Sequence, residues 1–552
     1  MIVYRDHHRT VPTRELLAGI VRKIALSDHD SIREGLIEFG QLECGIADAL
    51  LPDDERLADL RRIALRLGRL FYRSFKRRPS RAREEQAQFN RLSYVKIPET
   101  IELRTPEGYA FYGLYPESYI AATETFFSEV HCADAVVIGI RSIGTSLSAV
   151  IAGTLAEAGV NVECYTVRPH GHPFDRACDL PPIRTGAAAY LVGDEGPGLS
   201  GSSFASVARA LADVGVPDSN IFLFPSWAPD PDQFVSDTAR DRWRRHRAFP
   251  PPSDPQVAGC GFEGWHDLSA ATWRKVLFCT ESEYPAIQPQ HERRKFLSRT
   301  APRIFAKFAG FGARGRAAFE RLQCLHDAGF VPAPLDLAHG FLFSRFAPGA
   351  PVSRSSPDLI CVMLRYLAHI AREFPASADP HDLIHMTSTN VSEALGCAWT
   401  PERDLTEPLG GARACLLDAR MLPHEWIETA RGFLKTDAAD HADDHFFPGP
   451  RDIAWDLAAI AVEFSLPDSA ELLDRFVSLT GDRDVHARFP FYLLAYSAFR
   501  FGYCELAKSS VDAAEQRRFA RAARRYRALI DQCLRRYTRA RARANRVQVF
   551  GG

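Results

Sequence analysis

The chain has 552 residues, 46% of them apolar and 25% charged, with a formal net charge of −1. That length exceeds a single core and predicts two or three domains, and the charge balance excludes a global pull toward nucleic acid or membrane. The opening MIVYRDHHRTVPTRELL has no apolar core of signal-peptide length, no run is long enough to span a bilayer, and twelve cysteines are scattered without a C-x-x-C pair; a reduced, cytoplasmic protein is expected.

Residues 1–100 read as a helical amino-terminal region, from the apolar spacing in ELLAGIVRKIAL and LADLRRIALRLGRLFYRSF. The basic patch KRRPSRAREE reads as a solvated bend. Over 101–228 short apolar runs alternate with helical patterns: AVVIGI (135–140), VNVECYTV (160–167), AAAYLVG (187–193) and NIFLFP (220–225). Strands and helices alternating at this spacing predict an α/β, doubly wound parallel sheet. Residues 229–265, rich in Pro, Asp and Arg, read as a linker. From 266 to 552 the texture is again mostly helical and ends in an Arg-dense tail, read as a solvated helix face rather than a nucleic-acid contact. The aromatics of RTPEGYAFYGLYPESY (104–119) read as core packing rather than the wall of an acceptor pocket.

Two adjacent acids, Asp194 and Glu195, close the third apolar run, and GPGLSGSS follows before a helical pattern. Ligands of open α/β sheets gather beyond the carboxyl ends of strands. Backbone N–H groups of this loop, the helix dipole and the hydroxyls of Ser200, Ser202 and Ser203 form a phosphate nest. Gly196, Gly198 and Gly201 let the backbone approach a ligand without a Cβ. The two carboxylates, one turn earlier, reach a vicinal diol. Phosphate and diol together describe a ribose 5-phosphate.

This stretch resembles the ribose-phosphate signature of the type I phosphoribosyltransferases: a hydrophobic strand, two acids, and a small-residue loop ending in Thr/Ser-Gly-x-Thr/Ser. It departs by Glu at the second acid, by GPGL in the loop and by one extra residue. The resemblance implies a phosphoribosyltransferase-like domain in which Asp194 and Glu195 hold the ribose of phosphoribosyl pyrophosphate (PRPP) and its Mg²⁺, while Gly198, Ser200, Gly201, Ser202 and Ser203 hold the 5-phosphate. An upstream loop in GIRSIGTS supplies Arg141, Ser142, Gly144 and Thr145 for the pyrophosphate, with Arg141 neutralising the leaving group. Arg168, His170, His172 and Arg176 of YTVRPHGHPFDR stand either at the PRPP or on a solvent-facing basic loop.

In the carboxyl-terminal half, Lys307 lies on a short apolar strand ahead of a helix bearing Glu320, and GFLKTDAADHADDHFFPGPRDIAWDLA follows at 432–458. These motifs resemble the aminoglycoside-phosphotransferase-like kinases, an α+β, two-lobed fold. The resemblance implies that Lys307 pairs with Glu320 at a nucleotide, that Asp437 ligates metal, and that Asp452 and Asp456 are structural. The family's His-Gly-Asp with its downstream Asn has LIHMTSTN (383–390) as its nearest candidate, with His385 and Asn390 but no Asp between them. Asp437, Asp440, His441, Asp443, Asp444 and His445 form either a divalent-cation site, with Asp444 as a further ligand, or a polar loop; His424 and Glu425 have no assigned role. The expectation is an enzyme that uses PRPP and Mg²⁺ to phosphoribosylate a small-molecule acceptor, fused to a degenerate kinase-like domain and with ATP as a second ligand. The alternatives are a small-molecule kinase with a PRPP-sensing domain and a non-catalytic PRPP- or nucleotide-binding regulator.

Overall fold

The computed structural model describes residues 1–5, 8–51, 54–79, 97–198, 200–252, 259–441 and 444–550, with side chains to 539. Asp443 and most of the basic patch lie outside the described residues. The chain divides into two compact units: His7–Glu263 with Gly310–Gly312, and Met1–Asp6 with Gly264–Ala309 and Ala313–Gly552.

The first unit opens with β1 (His8–Pro12), which pairs antiparallel with β2 (Thr100–Arg104). Its centre is a parallel sheet of β3 (Asp134–Ile140), β4 (Asn161–Val167), β7 (Ala189–Gly193), β8 (Ile221–Phe224) and β9 (Arg247–Ala248), in the order β4-β3-β7-β8-β9. A small hairpin, β5 (His170–His172) with β6 (Asp175–Ala177), follows β4. The central strands are continuous apolar runs because both faces are covered. Val137, Leu191 and Phe222 pack with the Glu55–Phe75, Pro116–Val130 and Gly144–Glu157 helices, while Val136, Val192 and Leu223 pack with Ser202–Asp213 and Asp237–Trp243. Two of these helices touch backbone to backbone, since a Cβ on Gly68 would lie 1.8 Å from the Ala149 carbonyl oxygen.

The expected linker is corrected in part. Residues 229–252 belong to this unit, for Phe234, Trp243 and Phe249 are buried and β9 extends the sheet. Proline there supplies turns while the interleaved aromatics supply core. The strand order reverses between β3 and β7, so the loops after those two strands share the crevice where open sheets take ligands.

The second unit holds an antiparallel sheet, β10 (His266–Asp267), β11 (Lys295–Leu297), β12 (Ile304–Phe308), β14 (Phe341–Arg345) and β13 (Pro334–Ala338) in that spatial order. The Gly312–Asp327 helix connects β12 to β13. Beyond it lie β15 (Ala350–Pro351), β17 (Trp426–Thr429) and β18 (Gly432–Lys435) as one ribbon, and β16 (Ala414–Cys415) with β19 (Arg451–Asp452) as another. The Pro357–Glu373, Pro380–Leu395, Ala454–Glu463 and Val485–Ala507 helices and the start of Ala513–Phe550 close a large core around Trp426 and Trp455. Among the described residues no helix is long and apolar enough to cross a membrane.

Candidate functional site

In the first unit, Asp194 and Glu195 follow β7 directly, half-buried in the crevice at the order reversal. Gly108 N–H donates to Glu195 Oε2 at 3.0 Å, and the Tyr119 hydroxyl donates to the Asp194 carbonyl at 2.9 Å. Burial pushes Asp194 up to about 7, against hydrogen bonds from the Glu195 and Gly144 N–H groups. Burial, with Glu107 and Asp194 nearby, pushes Glu195 up to about 8. Gly144 faces this pair so closely that a Cβ would lie 2.5 Å from the Gly193 carbonyl oxygen. Beside it Ser142 adopts φ +133°, and the buried Thr145 hydroxyl has no hydrogen-bond partner.

Arg141 lies in the loop after β3, as its sequence position requires, yet its guanidinium meets the Asp48 carboxylate at 3.2 Å and the Ala47 carbonyl at 3.2 Å. Arg168 grips the same Asp48 with two N–H groups, at 2.7 and 2.5 Å. The helix ending at Ala49 thus places Asp48 between the two arginines. His170 is exposed and pairs with Asp179 at 3.1 Å. Ser200 and Ser202 donate their hydroxyls to the Pro173 carbonyl, at 3.0 and 2.7 Å, so the hairpin's turn lies on the phosphate-type loop. Gly201 has φ +61° and caps the helix that Ser202 and Ser203 begin, and Gly198 is exposed. Among the described residues Asp194 and Glu195 join no group of three potential metal ligands.

The second unit surrounds a cavity of about 490 Å³, with Lys295, Lys307, Glu425, Lys435, Asp437 and His441 in its wall. Lys307 comes from β12 and faces Lys295 across the β11 pairing. Its ammonium donates to Asp440 at 2.8 Å and to Asp437. Burial alone would lower its pKa, but those two carboxylates raise it above the ordinary lysine range. Burial likewise opposes ionisation of Asp437, and Lys307 and His441 more than offset it. Arg293 binds the other side of Asp440 at 2.7 Å. Asp437, Asp440 and His441 present ligand atoms within 4.8 Å of one another, and His441 Nδ1 is buried without a hydrogen-bond partner. This oxygen-and-nitrogen set fits a divalent cation.

The Lys307–Glu320 pair is corrected. Glu320 is exposed, while the adjacent Arg321 turns inward and donates to the carbonyls of Ala438, Leu416 and Leu417 at 2.9, 2.8 and 3.0 Å. One residue along a helix is about 100° of rotation, and here that step puts the base rather than the acid inside. LIHMTSTN is also corrected as a catalytic-loop candidate, for it lies within the Pro380–Leu395 helix. There His385 is exposed and the Asn390 side chain accepts from the Ile2 N–H at 2.7 Å and donates to the Ile2 carbonyl at 2.8 Å.

The loop missed by sequence reasoning is LLDARMLPHEW. Asp418 is buried in it, and its backbone N–H and that of Ala419 donate to Asp456 at 2.9 and 3.0 Å. Asp418 accepts from the Tyr366 hydroxyl at 2.5 Å and sits 3.3 Å from the Lys435 ammonium, which donates to Glu425 at 2.9 Å. The available signal was an acid shortly before the WIET strand and upstream of KTD. Its spacing of seven residues to Glu425, with no His-Gly before it, concealed it. His424 stacks on Trp273 at 5.2 Å, and burial together with Lys435 and Arg500 pushes it down to about 3. Asp444 lies among His445 and Arg420 in the same region, at 2.9 and 3.7 Å. Asp452 accepts from the N–H groups of Arg413 and Ala454, at 3.0 and 2.9 Å.

No protein-family model and no curated protein matches the chain. Among solved structures, it is similar to a choline kinase from Streptococcus pneumoniae (16% identity, 47% of this chain and 96% of that one, TM-score 0.30). It is also similar to an ethanolamine kinase from Plasmodium vivax (10%, 54% and 95%, 0.30) and to an aminoglycoside phosphotransferase in complex with gentamicin (10%, 50% and 99%, 0.31). The second unit has the antiparallel sheet, the helix after its lysine strand and the acid after β18 that the kinase resemblance led one to expect.

Proposed function

We propose that the kinase-like unit binds a nucleoside triphosphate with a divalent cation in its cavity and acts as a small-molecule phosphotransferase. The observation that carries this reading is the Lys307 ammonium held against Asp437 at the cavity wall. A strand lysine that contacts phosphates and an acid that holds metal are the parts phosphoryl transfer relies on for positioning and charge neutralisation. Asp437, Asp440 and His441 are the residues that would hold Mg²⁺, which when bound offsets phosphate charge. Asp418, saturated by Tyr366 and Lys435, leaves no carboxylate free to take a proton, so slow transfer is expected. Arg420, Arg500 and Arg525 face the cavity from its helical side, where Asp444 pairs with Arg420 and Glu463 with Arg500 and Arg525. Calorimetry with ATP and Mg²⁺ tests the reading. Binding that needs Mg²⁺ and falls at least about tenfold in Lys307→Ala, a loss of about 1.4 kcal/mol, supports it; equal affinity in the two proteins refutes it.

A second reading concerns the parallel-sheet unit, as a PRPP-binding and phosphoribosyltransferase-type domain. It is favoured by Asp194 and Glu195 standing at the order reversal opposite the Ser142–Thr145 turn, whose positive φ is the kind of strain that binding loops store.

A further inference from the structure

Kinase-type phosphoryl transfer uses two divalent cations, one on the acid after the metal strand and one on a polar residue of the catalytic loop. In this chain a buried lysine lies between the two acids of the Asp418–Glu425 loop, which with His441 form a second group of possible metal ligands. The Lys435 ammonium lies between Glu425 and Asp418, at 2.9 and 3.3 Å, and also donates to the Asp437 carbonyl at 2.9 Å. Two of its three N–H donors make hydrogen bonds, to Glu425 and to the Asp437 carbonyl, and its charge faces Asp418 as an ion pair. Its side chain has no exposed surface, and Asp418 spends its other lone pairs on the Tyr366 hydroxyl and the Arg420 N–H, at 2.5 and 3.1 Å.

We infer that Lys435 is a built-in substitute for the second metal ion, so that the nucleotide site works with a single divalent cation at Asp437, Asp440 and His441. The inference rests on the nucleotide reading above and narrows it. A cation between Asp418 and Glu425 has to displace an ammonium with no other acceptor to move to. Lys435 and Lys307 both stand in the cavity wall, but the Lys435 side chain has no exposed surface while Lys307 keeps 9%, so an arriving phosphate gives the Lys307 ammonium a new partner and releases Asp437 and Asp440 to metal. His441, whose Nε2 lies 3.4 Å from Asp437, is then a third donor beside those two acids. Lys435 is thus a positioning residue, supplying fixed positive charge where the second ion of other phosphotransferases would supply mobile charge.

Counting metal tests this without reference to activity. The full chain is equilibrated with MnCl₂ and the non-hydrolysable analogue AMP-PNP, desalted, and assayed for manganese and phosphorus. The wild type is expected to retain one manganese per bound nucleotide, and Lys435→Met, in which Asp418 and Glu425 lose the ammonium between them, is expected to retain two. Two in the wild type overturns the inference and leaves the nucleotide reading standing. No retained manganese or phosphorus removes the nucleotide reading and the inference with it. A natively folded Lys435→Met that still holds one also contradicts it, and the wild-type count decides even if that variant fails to fold.

Discussion

Asp194 and Glu195 are acids whose protonation changes near neutral pH. Burial raises both, to about 7 and about 8, above their unfolded values. Between those values the folded state holds more protons than the unfolded one, so stability falls as pH rises from about 4 to about 8 and levels off above. Asp194→Asn with Glu195→Gln removes that slope. Urea titrations are expected to show the variant gaining on the wild type by on the order of 1–2 kcal/mol between pH 5 and pH 8, after allowing for partial solvent access. The same variant is expected to lose PRPP affinity in calorimetry. Parallel stability curves would refute the buried-acid account, and unchanged PRPP binding would refute the ribose assignment. The acids were legible in sequence because they are neighbours in the chain and end an apolar run. Arg321 was not, because only the phase of its helix against the core decides whether it or Glu320 turns inward.

At the scale of elements, the Gly144–Glu157 helix is held against Glu55–Phe75 by glycines rather than by interdigitated side chains. A Cβ on Gly153 would lie 2.2 Å from the Gly68 carbonyl carbon, which is backbone and cannot swing aside. Gly153→Ala is therefore expected to destabilise the parallel-sheet unit by about 1–3 kcal/mol, seen as an earlier urea midpoint for that unit, with nucleotide binding by the other unit unchanged. An unmoved midpoint would contradict the close crossing. Three of the four main parallel strands lie within the apolar runs that announce them and the fourth starts one residue before its run, at Asp134, since a strand covered on both faces needs no polar alternation. The short strands β9 and β10, two residues each, carry too little pattern to be read. The stretch around β9 looked like linker because its prolines mask three buried aromatics.

Over the whole molecule, the two units differ in how their sites are assembled. The acid pair and its phosphate-type loop come from one strand–loop–helix passage, and such sites show in sequence. The cavity of the second unit draws Arg293, Lys307, Glu425, Lys435, Asp437 and His441 from across almost 150 residues, with Asp418 behind Lys435. Its lysine strand and its Asp437 were readable through family-like motifs. The Asp418 loop and the Lys435 bridge depend on contacts that form only when the chain folds. The central claim is that this cavity takes a nucleotide with its phosphates at Lys307 and its cation at Asp437. An anomalous difference map from crystals of the full chain grown with AMP-PNP and Mn²⁺ tests it most directly: a manganese peak on Asp437 with phosphate density against Lys307 is the predicted result, and nucleotide phosphates bound elsewhere, or an empty cavity at saturating nucleotide, would contradict it.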